Sequence, residues 1–210
     1  FANKLEEVLK SYLKSENAAF FYSNTIFFNQ ETSTPLYNRV RESGPITSLL
    51  LTNYFLSFES IVINRKILDR LEIKFDMRFD FITDFDLFTR LSTISDAIYI
   101  PKILCGWRVH NQSGSFKKTY LFHQEKLLWY SLNINNKLFK SFKNELNEFK
   151  LITNAEKSFY SNNPLLITRI DKVFFHRFSN LKNFLKYLLS ALPLGKYFYK
   201  LKRFKKLKKL

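Results

Sequence analysis

Positive charge in this 210-residue chain is segregated at one end, and that segregation limits the possible folds more than any motif does. Lys172 to Leu210 holds twelve Lys or Arg and no acid, against a net charge of +16 for the whole chain. That stretch therefore carries +12, leaving +4 for the first 171 residues, an ordinary balance for a folded domain. The basic character describes a tail, and the fold has to come from the remainder. Apolar residues make up 46% and charged residues 25%, so a packed core is within reach and wholesale disorder is not expected. The length suits one domain, or one domain with an appendage.

The tail has a period. Leu181, Phe184, Leu185, Leu188, Leu189 and Leu192 recur at helical spacing, with Ser179 or Asn180 available as a cap and Pro193 and Gly195 as a stop. Beyond it, Leu201, Phe204, Leu207 and Leu210 alternate with Lys200, Lys202, Arg203, Lys205, Lys206, Lys208 and Lys209. Apolar groups on one side and ammonium groups on the other suit an anionic membrane surface, so residues 179–210 are expected to contact one. Two other readings compete: a helix packed on the domain with a solvated basic end, and a phosphate backbone as partner. No zinc finger or RNP-like motif accompanies the charge, and nucleic acid is not expected. No apolar run approaches the length of a membrane span.

Along the rest of the chain, Leu5, Val8, Leu9, Tyr12 and Leu13 predict a buried helical stripe, with Asn3 as N-cap and Glu6 three residues on. Ala18–Phe28 reads as a strand, Asn29–Pro35 as a turn, Ile46–Leu56 as a short helix and Ser60–Ile63 as a buried strand. Phe75–Thr83 predicts a loop, followed by a helix that starts with Asp84 and Asp86 and continues through Leu87, Leu91 and Ile94. Ala97–Ile100 and Ile103–Val109 read as two short strands separated by Pro101, and Asn111–Ser115 as a polar loop. From about Tyr120 onward the pattern is helical, with a break at Asn162-Asn163-Pro164.

Several chemistries have no residues to support them. The single cysteine, Cys105, excludes a disulfide framework and a cysteine-cluster zinc site, and it fits a reducing compartment. With four glycines there is neither a GxGxxG nor a P-loop. No HExxH or nucleophile elbow occurs; the histidines are His110, His123 and His176. Asp76, Asp80, Asp84 and Asp86 form an acidic cluster among aromatics, which on composition alone reads as a solvated loop with Asp84 capping a helix.

The order of these residues is more informative than their number. The run from Phe75-Asp76 through Thr83-Asp84 to Asp86-Leu87-Phe88-Thr89-Arg90-Leu91 resembles a stretch of the family 2 glycosyltransferases: a Phe-Asp loop, an acid-Asp pair, then Asp-Leu-x-x-Arg-Leu on a helix. Tyr99-Ile100-Pro101 and Trp107-Arg108-Val109-His110 resemble the strands and the aromatic-Arg-x-His ending that follow in that family. Phe1–Leu5 resembles the opening of the helix after its DxD motif, and Gly44–Arg65 the acceptor side. The likeness covers Phe1 to about Lys118.

The resemblance implies an α/β fold, part of a GT-A type, Rossmann-like catalytic domain over residues 1–118; the helical pattern beyond it predicts a mainly α-helical extension over 119–210. The resemblance also implies transfer of a sugar from a nucleotide-sugar donor to an acceptor hydroxyl on a glycan or lipid-linked acceptor, with inversion, at the cytoplasmic face of the membrane. Asp84 would be the general base, and Asp86, Trp107 and Arg108 would bind substrate. His110 would be a ligand of a divalent metal, Mn²⁺ or Mg²⁺. Arg90 or Arg108 would pair either with phosphate or with Asp86. Two departures qualify this: Thr83 replaces the leading acid of the pair, and the DxD motif has no counterpart. The chain also starts at Phe1, so it is expected to be a piece of a longer protein with little transferase activity of its own. The alternatives are a non-catalytic interaction remnant of the same ancestry and a basic nucleic-acid-binding protein.

Overall fold

The computed structural model describes residues 1–109, 119–160, 178–179 and 181–191. His110, the polar loop at Asn111–Ser115, the break at Asn162–Pro164 and the basic segment after Ala191 lie outside the described residues. The chain is a mixed α/β protein that divides into two compact units between Asn111 and Gln112.

The first unit is built around β1 (Phe20–Phe28), whose nine aromatic and β-branched residues favour an extended, half-buried surface. The turn at Asn29 is an Asx turn, with Oδ1 accepting from Glu31 N at 2.8 Å and Thr32 N at 2.7 Å. It returns the chain as β2 (Ser33–Pro35), antiparallel to the end of β1. β3 (Ile61–Ile63) pairs antiparallel with the start of β1. β4 (Ala97–Arg108) runs parallel to β1 along its whole length, on the edge opposite β2 and β3.

Side chains alternate across this sheet with period two. Phe20, Tyr22, Ala97 and Tyr99 face a core closed by α2 (Thr47–Thr52), α3 (Arg65–Leu68) and α4 (Thr83–Ser92), through Leu50, Ile67, Leu87, Phe88 and Leu91. Phe21, Ile98, Ile100 and Leu104 face the other way, toward Val8 and Tyr12 of α1 (Lys4–Tyr12). Gly44 takes φ of +102°, a conformation that glycine adopts without a Cβ penalty, and pairs with Ala97 on the outer edge of β4.

Three expectations need correction. Residues 97–109 are one strand to Arg108, not two. Ser23 lies opposite Ile100, Asn24 opposite Ile103 and Thr25 opposite Cys105, so Pro101, Lys102 and Leu104 bulge out of register. A proline in a bulge sacrifices no ladder hydrogen bond, so it does not end the strand. Asn3 makes no side-chain cap, because its ψ of 5° is that of a turn, not the extended backbone an N-cap needs. The stripe on α1 is only partly covered. Val8 is buried, but Leu5, Leu9 and Leu13 are 74%, 56% and 65% exposed. Lys4 Nζ donates to Glu59 O at 2.6 Å and Glu7 pairs with Lys102 at 2.7 Å, which turns the leucines outward.

The second unit comprises α5 (Thr119–Asn133), a 3₁₀ turn (Lys137–Phe142), α6 (Lys143–Tyr160) and α7 (Leu181–Ala191). Trp129 anchors its core, edge-to-face with Phe139 at 5.2 Å and Phe149 at 5.4 Å. α7 packs on α6 through Tyr187, Ile152 and Ala155. The buried carboxylate of Glu148 accepts hydrogen bonds from Ser179 N, Ser179 Oγ and Asn183 Nδ2 at 2.8, 2.9 and 2.5 Å, placing negative charge at the start of α7. No helix among the described residues is long and apolar enough to cross a membrane.

Candidate functional site

α4 begins where the Phe75–Ile82 loop ends, and the local bonding explains why. Thr83 Oγ1 donates back to Phe79 O at 2.9 Å, and Asp86 N to Ile82 O at 2.9 Å. Two carboxylates in the first turn suit the positive end of the helix dipole. Leu87, Phe88 and Leu91 then bind the helix to the sheet, with Phe88 packed on Phe20 at 5.3 Å between ring centroids. α4 packs on the first residues of β1, and its last turn is held by Thr47 Oγ1, which donates to Ser92 O at 2.8 Å.

Asp84 and Asp86 stand two residues apart but serve different surroundings. Asp84 is half-buried, and the Tyr54 hydroxyl donates to its Oδ2 at 3.1 Å. Burial and the adjacent Asp84 charge push the Tyr54 hydroxyl well above its ordinary value, so it stays a donor. Its ring also meets Phe85 edge-to-face at 5.3 Å. Asp86 is 2% exposed and is gripped by Arg90, Nε to Oδ1 at 3.0 Å and Nη2 to Oδ2 at 2.5 Å. The rest of the Arg90 fork reaches Ile73 O at 2.5 Å and Lys74 O at 3.0 Å. Of the two partners open to Arg90 in sequence, the structure has Asp86. This pair braces the loop that leads into Asp84, and in this structure Asp86 faces Arg90 where the sequence expectation had it meet a substrate.

Trp107 and Arg108 end β4, in register with Phe27 and Phe28. Trp107 is half-buried, edge-to-face with Phe27 at 4.9 Å. Arg108 is exposed and makes no ion pair among the described residues. The contacts of Trp107 are thus with β1, not with Asp84. Gly106, just before them, has Phe28 Cε1 and Ile26 Cγ2 within 3.1 and 3.3 Å of where a Cβ would sit.

Sequence reasoning missed the aromatic wall beside Asp84. Tyr54 is followed by Phe55, whose ring lies under the guanidinium of Arg41 at 4.0 Å; the Tyr37 ring is 5.3 Å from the same group. Arg41 Nη2 pairs with Glu42 Oε2 at 2.9 Å. The Tyr22 hydroxyl donates to Glu42 O, and the Tyr37 hydroxyl to Phe55 O at 2.7 Å. Burial raises both phenols, with the Arg41 charge partly offsetting it. No local pattern marks Tyr54; its partner Asp84 lies 30 residues further along the chain.

Among the described residues no group of three His, Cys, Asp or Glu side chains could hold a metal ion. His110, the expected ligand of the implied divalent cation, lies outside the described residues. No protein-family model matches the chain, and no curated protein matches it.

Proposed function

We propose that the first unit is the acceptor-side part of a GT-A type glycosyltransferase domain. It would transfer a sugar from a nucleotide-sugar donor to an acceptor hydroxyl of a cell-surface or lipid-linked glycan, at the inner face of the membrane. The observation that carries this reading is the Asp84–Tyr54 arrangement: a half-buried carboxylate in the first turn of α4, oriented by a phenol that keeps its proton. The motif order across Phe75–His110 supports it further.

In this mechanism the acceptor hydroxyl attacks the anomeric carbon from the face opposite the leaving group. Asp84 takes the hydroxyl proton as the new C–O bond forms and the bond to the nucleoside diphosphate breaks, so the configuration inverts. Tyr54 fixes the carboxylate so that little motion is needed at the moment of transfer. Arg108, an exposed guanidinium at the strand end, offers a charge-assisted contact to a phosphate, and Trp107 an edge for a sugar ring. A divalent cation, which the family resemblance implies, would neutralise the charge on the departing diphosphate.

In the full natural polypeptide, Asp84→Asn is expected to lower sugar transfer by about 10²–10⁴-fold while donor binding is retained. Normal turnover by that variant, measured with radiolabelled nucleotide-sugars and a matched acceptor, would reject the assignment of the base.

A further inference from the structure

Leu181, Leu185 and Leu188 follow one another at i, i+4 and i+7 on α7, and after the helix has packed on α6 they remain 70%, 44% and 36% exposed. The opposite face of α7 is firmly committed. Tyr187 is buried against Phe178 at 5.7 Å between ring centroids, Asn183 is held by Glu148, and Lys186 Nζ pairs with Glu156 at 2.6 Å. The leucine ridge is thus an outward edge on a helix whose position is fixed by its other side. The ridge offers a face to an apolar partner, and the charge of the flanking sequence narrows the choice. Lys172–Leu210 contains twelve basic residues and no acid. Lys186 is engaged by Glu156, so the attraction has to come mainly from the other basic residues.

We infer that α7 is a membrane-contact helix, and that Leu181, Leu185 and Leu188 insert into the interfacial layer of an anionic lipid bilayer while the Lys and Arg that precede and follow it in the sequence meet the lipid headgroups. The inference stands apart from the glycosyltransferase reading, since it uses only the second unit. Burying an apolar ridge at the headgroup boundary and placing ammonium groups beside anionic lipid are additive contributions to peripheral binding. In the sequence, Leu192 continues the same line at i+11, and the Lys-rich segment beyond it extends the charge; both lie outside the described residues.

The test is vesicle co-sedimentation of the 210-residue chain, comparing phosphatidylcholine with phosphatidylcholine containing about 30% phosphatidylglycerol. Binding is expected to be at least about tenfold tighter to the anionic vesicles, and L181E/L185E is expected to weaken it by about tenfold or more. Both positions are exposed, so the thermal midpoint without lipid should not move. As a second readout, a solvent-sensitive dye on Leu185→Cys should shift to the blue on the anionic vesicles. Undiminished vesicle binding by L181E/L185E, or a dye that reports only water, would overturn the proposal. So would a lipid-free dimer that the double substitution dissociates, which would assign the ridge to a second copy. Tighter binding to a DNA duplex than to the vesicles would assign the charge to nucleic acid and overturn it as well.

Discussion

Tyr54 matters to Asp84 because its proton is held in place. A phenol raised by burial and by a neighbouring carboxylate stays a donor, so under the proposed reading it does not compete for the proton that Asp84 would take. Removing only the hydroxyl leaves the ring on Phe85 and frees the carboxylate to turn. Tyr54→Phe in the full natural polypeptide is therefore expected to lower kcat by about tenfold, the worth of one hydrogen bond to a charged group, with KM for the donor little changed. Steady-state kinetics separate the outcomes: a rise in KM at constant kcat would mean that Tyr54 binds substrate instead of positioning the base.

The element that carries Asp84 depends on a buried ion pair. Arg90 spans from Asp86 on its own helix to two carbonyls of the preceding loop, so one side chain joins α4 to the segment at Ile73–Lys74. Arg90→Ala leaves Asp86 buried without its counter-charge and is expected to cost about 3–5 kcal/mol, read from urea unfolding. Replacing both groups by apolar residues, as Asp86→Leu with Arg90→Met, should cost less than the single change, because no buried charge is stranded. A loss below about 1 kcal/mol for Arg90→Ala would show that the brace is not holding the loop. α1 makes the contrasting case, since its leucines lie outward and truncating Leu9 there should barely affect stability.

For the molecule as a whole, the second unit carries an acid-sensitive cluster. His123 is buried between helices with Glu156 Oε2 3.9 Å from Nδ1, and burial lowers it to about 4. Burial by itself would raise Glu156, but the charges of Lys126 and Lys186 hold it down at about 2. Between pH 6.5 and 4 the unfolded chain takes up a proton at His123 that the folded chain refuses. The stability from burying the neutral ring is thus complete above pH 6.5 and falls as the pH drops toward 4, by roughly 3 kcal/mol. The Glu156 contribution is complete above pH 4.5 and declines on further acidification toward 2, in the same direction. Urea melts followed by helical circular dichroism should show that slope, and His123→Gln should flatten it between pH 6.5 and 4. An unchanged slope in the variant would assign acid sensitivity elsewhere.

How much of this was legible without coordinates depended on the range of the interaction. Period-two alternation through Phe20–Tyr22 marks β1, because each side chain meets its own sheet face whatever lies beyond, and Asp84 and Asp86 mark the first turn of α4 through their proximity to its dipole. The leucine period of α7 is local in the same sense. Tertiary structure decided what local pattern left open. The rotation of α1 was settled by Glu7 meeting Lys102, far along the chain, and Pro101 continues a strand because β1 absorbs the bulge. Tyr54 reaches Asp84, and Arg41 reaches Phe55, across separations that no motif spans. The sequence by itself determined which surfaces are apolar and where the longer helices run. Only packing decided which of those surfaces would be covered, because covering one requires a partner whose position depends on the rest of the fold.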